Sequence, residues 1–339
     1  MNPPSKKKIT YAVQPALRSY LKAFGRERAL PVDYDMLRAF SDRFPLIDRH
    51  GRDTLWQTVL YKQNPMKELH HGLKHIYALL KANGDTSVME HLRVDRVDFC
   101  EFGNSQPFRI RVVNMYNDNQ DYFYVKKADA SRVYGIELEH LLSPNRMLYF
   151  VGGNTMIEEH VVGIPGDQFM IYHLKDPGFK EVRIAKEFVK FNERCFIRLL
   201  GDMRSYNFVV DVTPDFEEVQ YRIRPMDFDQ QCYDGRKSFY RPQYFKENNA
   251  LIEFGMRAMD IKSMRQYQLE ERALIALRMK VEQSRVDWLL DTMILEALSP
   301  IEKVHQLRRE LAEYYGNDRY LSGETMGQLL KVSLDQIRK

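Results

Sequence analysis

The feature that most constrains this chain is a double change in hydrophobic period. Over residues 7–94, apolar residues recur at three- and four-residue spacing in PALRSYLKAF, DYDMLRAFSDRF and KELHHGLKHIYALLKANG, the pattern of helices that bury one face. From residue 97 to about 162 the text alternates and is enriched in β-branched and aromatic residues, in RVDFCEF, FRIRVVNMY, DYFYVKK, RMLYFVGG and TMIEEHVVG, which predicts half-buried strands. Asn117-Asp118-Asn119-Gln120 supplies a hairpin turn between the second and third of these. One helix, ASRVYGIELEHLLSP, interrupts the strands and is stopped by Pro144. After Gly166 the helical period returns in KEVRIAKEFVKFNERCFIRLL, followed by short strands NFVVDV and QYRIRPMDF with a turn at TPDFEE, and then by charged helical text over residues 242–339. Strands and helices grouped in blocks predict an α+β chain. The expected division is an N-terminal helical extension (1–95), a small β unit with one helix (96–162) and a helical lobe (163–339).

A chain of 339 residues exceeds what one hydrophobic core usually serves. With 44% hydrophobic and 29% charged residues it reads as globular rather than disordered. No apolar run approaches the ~20 residues of a membrane span, and the basic start MNPPSKKKIT has no apolar segment behind it, so neither a span nor a secretory signal is expected and the cytoplasm is the expected location. Cys100, Cys195 and Cys232 form no CxxC pair, which weighs against a disulfide framework or a cysteine zinc site. The 51 basic and 47 acidic residues are mixed along the chain. Their small excess suits an anionic ligand and makes no basic stripe for nucleic acid. His71 and His75 stand four apart on an expected helix, but no Glu follows His71 as in a metalloprotease, so a solvated or capping role is preferred. Leu274, Leu277, Val281, Trp288 and Leu289 make an apolar stripe expected to pack within the helical lobe.

The stretch RLLGDMRSYNFVVD carries the chemistry. Asp202 and Asn207 stand five apart between a helical segment and a β-branched run. Phosphoryl transfer needs positioned phosphates, a cation on hard oxygen ligands and a group that orients the nucleophile. Asp202 can accept a hydroxyl proton, and the Asn207 amide oxygen can ligate a cation. Asp227 in RPMDFDQ, at the end of the next strand, offers the second carboxylate.

GDMRSYN resembles the catalytic loop of the protein-kinase-like superfamily, in its aminoglycoside-phosphotransferase and small-molecule-kinase branches, and MDFD resembles the superfamily's metal-binding motif with Asp229 in place of glycine. The resemblance, over about 97–240, implies a two-lobed kinase-like fold, ATP and Mg²⁺ as cofactors, Asp202 as catalytic base, and Asn207 and Asp227 as metal ligands. It puts Arg204 where relatives carry a phosphate-contacting Lys or His. DYFYVKKA resembles the strand with the phosphate-pairing lysine, Lys126 with Lys127 as the alternative, and GIELEHLL the helix with its ion-pair partner, Glu137 ahead of Glu139. MIEEHVVGIPGDQF resembles the hinge, implying adenine contacts by backbone groups from Glu159 to Val161. EFGNSQPFRIRVV stands where the phosphate-covering loop belongs, with Gly103, Asn104 and Ser105 at its tip.

Two function classes follow. The first is an ATP- and Mg²⁺-dependent phosphotransferase acting on a hydroxyl acceptor, a small molecule or an atypical protein substrate, because no APE-type motif follows Asp229. The second is a kinase-like nucleotide-binding regulatory module with weak or no catalysis, suggested by the single glycine of the phosphate loop. Arg222 and Arg224, alternating on the strand before Asp227, could bind an acidic substrate or be solvated. Oligomeric state is not legible.

Overall fold

Alternation in residues 97–162 builds an antiparallel sheet, and the chain before it extends that sheet. The computed structural model describes residues 8–48, 50–174, 179–214 and 219–338. Strands β1 (Asp42–Ile47), β2 (Asp53–Leu60), β3 (Leu92–Phe99), β4 (Phe108–Asn114), β5 (Gln120–Lys127), β6 (Tyr149–Gly152) and β7 (Thr155–Glu159) form one seven-stranded sheet, ordered β1-β2-β3-β4-β5-β7-β6. All its pairings are antiparallel. Helices α1 (Pro15–Ala23), α2 (Tyr34–Arg38) and α3 (Gln63–Lys81) lie within the same N-terminal stretch.

Packing divides the chain into two units: Met1–Ala130 with Met147–His160, and Ser131–Arg146 with Val161–Lys339. In the first, the sheet's apolar face carries Val97 and Phe99 of β3, Phe108 and Ile110 of β4, and Phe123 and Val125 of β5, all buried. Helix α3 packs on it through Leu69, Leu73, Ile76 and Leu80, the i, i+4, i+7, i+11 positions of one face. Each such side chain contributes about 1.5–3 kcal/mol of burial. The period-2 rule sends the intervening residues to the opposite face, where register aligns Thr58, Asp98, Arg109, Tyr124 and Glu158 in one cross-strand row.

The N-terminal stretch therefore departs from the helical expectation. Residues 42–47 and 53–60 are strands, and the pairing Gln57↔Phe99 and Thr58↔Asp98 joins β2 to β3 across the expected boundary at 95/96. Pro45 in β1, a register shift beside it, and Leu55 at φ 64° in β2 break the local alternation that would have marked these strands.

The second unit contains helix α4 (Ala130–Leu142) from Ser131 onward, although α4 was expected with the strands. Its attachments within that unit include the Tyr134 hydroxyl to Glu296 Oε1 at 2.9 Å and a buried ion pair of Glu139 with Arg198. The unit adds β8 (Ile164–Pro165), α5 (Gly166–Tyr172), α6 (Glu181–Ile197), β9 (Phe208–Pro214), β10 (Val219–Pro225), α7 (Asn249–Ala258), α8 (Ile261–Val281), α9 (Gln283–Met293), α10 (Ile301–Tyr315) and α11 (Met326–Asp335). Strands β10, β9 and β8 make a three-stranded antiparallel sheet. Residues 215–218 of the expected TPDFEE turn lie outside the described residues.

The apolar stripe expected to pack is mostly on the surface. Leu274, Leu277, Val281 and Trp288 are 39–74% exposed, and only Leu289 is fully buried. Helix α8 instead buries the face of Glu271, Ile275 and Met279, because Arg194 of α6 gives Glu271 a buried counter-ion at 3.3 Å. Among the described residues all three cysteines are free, no helix is long and apolar enough to cross a membrane, and His71 and His75 belong to no group able to hold a metal.

Candidate active site

The loop after α6 is set by how that helix ends. Leu200 N donates to Cys195 O at 2.9 Å and Leu199 N to Phe196 O at 3.2 Å, a Schellman closure. It puts Leu199 at φ 52°, the left-handed position usually given to glycine, at a cost of roughly 1–2 kcal/mol. The completely buried Leu199 side chain offsets that cost. Gly201 follows where any Cβ would stand 2.6 Å from the Phe239 ring. Asp202 also takes positive φ, 60°, which Asp tolerates better than most residues.

Later segments clamp the loop. Gly201 N donates to Gln230 O at 3.3 Å, Asp202 N to Phe239 O at 3.1 Å and Cys232 N to Leu199 O at 2.9 Å. The buried Asn248 amide donates to Met203 O at 2.9 Å and Pro242 O at 2.8 Å. Asn207 ends the short helical turn Ser205–Asn207, and its Nδ2 donates to Asp202 O at 2.7 Å. That bond turns the amide oxygen away from the Asp202 carbonyl. Met226 N donates to Asn207 O at 3.0 Å and Pro225 pairs with Phe208, so Asp227 leaves β10 beside the start of β9.

Side chains unforeseen in the sequence engage the expected ones. Arg204 Nε donates to Asp202 Oδ1 at 2.8 Å, its Nη1 donates to Glu247 Oε1 at 2.6 Å, and its guanidinium lies 4.8 Å from the Phe245 ring centre. Burial raises the Asp202 carboxyl above the usual aspartate value, with the Arg204 hydrogen bond working against that rise. Arg132 of α4, 2% exposed, donates from Nη2 to Asp227 Oδ1 at 2.6 Å and from Nε to Asp229 Oδ1 at 2.7 Å. Asp229 N also donates to Asp227 Oδ1, at 3.0 Å. In the first unit, Lys126 is ion-paired with Glu158 and its Nζ lies 5.2 Å from the Tyr124 ring centre. Glu158 faces Tyr124 across β5 and β7, so it is the diagonal neighbour of Lys126 on the polar face. The signals for Arg132, Glu158 and Glu247 were only a cation or acid of matching sign far along the chain.

The other expected residues stand as follows. Glu137, fully buried on α4 in the second unit, accepts from Arg285 Nε at 3.0 Å. Gly103, Asn104 and Ser105 form a tight turn between β3 and β4, in which Gln106 N donates to Gly103 O at 3.0 Å. Asn104 Oδ1 accepts Lys8 N at 3.1 Å. Glu159 ends β7; its N–H is used by Leu148 O at 3.0 Å and its Oε1 by Leu148 N at 2.8 Å. Val161, buried, follows in the second unit. The structure thus brings Asp202, Arg204, Asn207 and Asp227 together on one loop and strand pair, and Lys126 with the 103–105 turn and Glu159 belong to the sheet unit.

No protein-family model matches the chain, and no curated protein sequence matches it. Among solved structures it is similar to the autoinhibited serine kinase domain of the giant muscle protein titin, with 13% identity, a TM-score of 0.27, and coverage of 72% of this chain and 92% of that one. At that TM-score the likeness assigns neither a topology nor a residue role.

Proposed function

We propose that this chain is an ATP- and Mg²⁺-dependent phosphotransferase of the kinase-like kind, transferring the γ-phosphoryl group to a hydroxyl acceptor. The observation that carries the reading is the hydrogen-bonded sequence Asp202, Asn207, Met226, which joins a carboxylate, an amide and the Asp227 carboxylate at one end of the β9–β10 pair. Asn207 and Asp227 fit Mg²⁺ as hard oxygen donors. A two-ligand protein site suits that ion, which keeps waters and takes substrate phosphates. When bound, the ion supplies charge neutralisation at the transferring phosphate.

The protein's own residues orient the rest. Asp202 orients the acceptor hydroxyl and accepts its proton as the new oxygen–phosphorus bond forms and the bond to the ADP leaving oxygen breaks. Its raised affinity for a proton suits that role. Arg204, steered by Glu247, stands at Asp202 as a cation for the transferring phosphoryl oxygens. Lys126, held by Glu158, would meet the α- and β-phosphates, with the 103–105 turn of the same unit as their cover. The backbone from Glu159 to Val161 would receive the adenine, less the Glu159 N–H already committed to Leu148. A cytoplasmic location, where ATP is supplied, goes with this reading.

The test is a nucleotide titration by thermal shift with and without Mg²⁺, paired with γ-phosphate release and autophosphorylation. Asp202→Asn should keep Mg²⁺-dependent ATP binding and lose turnover, and Asp227→Asn should lose the Mg²⁺ dependence. Parent protein with no Mg²⁺-dependent nucleotide stabilisation, or variants that match the parent in both readouts, would sink the reading. A second reading, a nucleotide-binding module without turnover, is favoured by one observation: guanidinium groups already engage both Asp202 and Asp227. Binding without turnover across a hydroxyl-acceptor panel would select it.

A further inference from the structure

Arg132 bridges the two carboxylates of the MDFD segment. It lies on α4, 95 and 97 residues from its partners. The contact is built in: Gly135, one turn further on, lets α4 approach so closely that a Cβ there would stand 3.0 Å from Phe228 Cβ and 3.1 Å from Gln231 Cβ. Arg132 and Asp229 are buried, whereas the Asp227 side chain keeps a third of its surface exposed. Asp227 Oδ1 thus takes two inward donors, Arg132 Nη2 and Asp229 N, which fixes the carboxylate plane.

On the phosphotransferase reading, we infer that Arg132 is the internal counter-ion and positioning residue of Asp227. It makes the site a poor host for a bare divalent cation and a selective host for a cation already bound to polyphosphate. Cation affinity at oxygen sites follows the charge count of the ligands. Two carboxylates and one guanidinium carry a net single negative charge. A lone dication meets that weakened field and a nearby like charge, whereas a cation–polyphosphate complex brings its own anionic oxygens, for which Arg132 is no longer repulsive. The planar fork matters as well as the charge, because Nε and Nη2 address two different carboxylates at once.

Mn²⁺, followed by its electron paramagnetic resonance signal, reports the site without reference to turnover. Bare Mn²⁺ and Mn²⁺ with a non-hydrolysable ATP analogue would be titrated into the full chain, the Arg132→Gln variant and the Arg132→Gln/Asp229→Asn double variant. Arg132→Gln doubles the net negative charge and should tighten bare Mn²⁺ by at least about tenfold, and the double variant, whose charge matches the parent's, should return to within about threefold of it. A merely structural loss of Arg132 would weaken binding in both single and double variants. The double variant also guards against misfolding, since it leaves no buried acid without its guanidinium at position 229. Arg132→Gln that binds bare Mn²⁺ no more tightly than the parent, while the analogue complex still binds, overturns the inference and leaves phosphotransfer standing. Absence of Mn²⁺ binding in every form, with and without the analogue, removes both.

Discussion

Arg204 Nε lies 2.8 Å from Asp202 Oδ1, so the cation and the acid of the loop are partners two residues apart. Burial raises the acid's pKa and the arginine opposes it. The acidic limb of a pH–rate profile should therefore lie above the ordinary aspartate value of 3.8 and move further up in Arg204→Gln, because the hydrogen bond favouring the ionised form is gone. An acidic limb that stays put or moves down would contradict this. The same sign governs stability: the folded chain holds the Asp202 proton more tightly than the unfolded chain, so ionisation costs stability as pH rises. Asp202→Asn should gain stability relative to the parent between acid and neutral pH, read from melting curves, even as turnover is lost.

Arg198 and Glu139 form a buried ion pair, with 1% and 0% of their side chains exposed. Burial would raise Glu139, yet Arg198 together with Ser143 and Asn145 holds it below the usual range. Arg198→Met should cost about 3–5 kcal/mol in denaturant unfolding, because it strands a buried charge. Glu139 in the parent stabilises above the unfolded value of 4.5 and loses that contribution as pH falls through its lower folded value. The variant should lack that acid-side loss.

Asn248 is a mechanical support of the loop. Replacing it with Ala orphans the Met203 and Pro242 carbonyls it serves, at about 1–3 kcal/mol each. The kinetic signature should be a fall in kcat with KM for nucleotide little changed, since Asn248 clamps the loop that carries Asp202 through Met203 O. A change confined to KM would assign it elsewhere.

Gly166 closes against the same loop from the other side: a Cβ there would meet Phe208 Cε2 at 2.3 Å and Ser205 O at 2.5 Å. Gly166→Ala should destabilise by about 1–3 kcal/mol through overpacking and depress turnover by shifting the Ser205–Asn207 turn. Unchanged melting would show that the loop yields freely.

Lys126→Met should destabilise by about 3–5 kcal/mol, because it removes the cation from a buried pair, and Glu158→Gln added to it should recover part of that loss. Strict additivity of the two changes in a double-mutant cycle would mean that the pair is not coupled.

Much of this was legible in the chain. Alternation found β3 to β5 because one sheet face is packed and the other polar, and the period of α3 found its buried face. Asp202, Asn207 and Asp227 could be grouped because the Asp–Asn spacing and the following hairpin are local. Arg132, Glu158 and Glu247 could not, since each reaches its partner across 32 to 97 residues and nothing local distinguishes it from a solvated charge. The stripe on α8 failed for a related reason: a paired Glu271 occupies the inner face that apolar periodicity reserves for leucine. Strands β1 and β2 were hidden by a proline and a positive-φ leucine within them.

The pairing of β2 with β3 has a consequence for anyone trimming this protein. A fragment beginning near residue 97 would sever β3 and strip away the two strands that cover its outer edge. The freed backbone donors and acceptors would form an open ladder ready to recruit another chain. Residues 42–60 thus act as a built-in chaperone of the sheet, and truncated forms that omit them should be judged by their aggregation before anything is concluded from their inactivity.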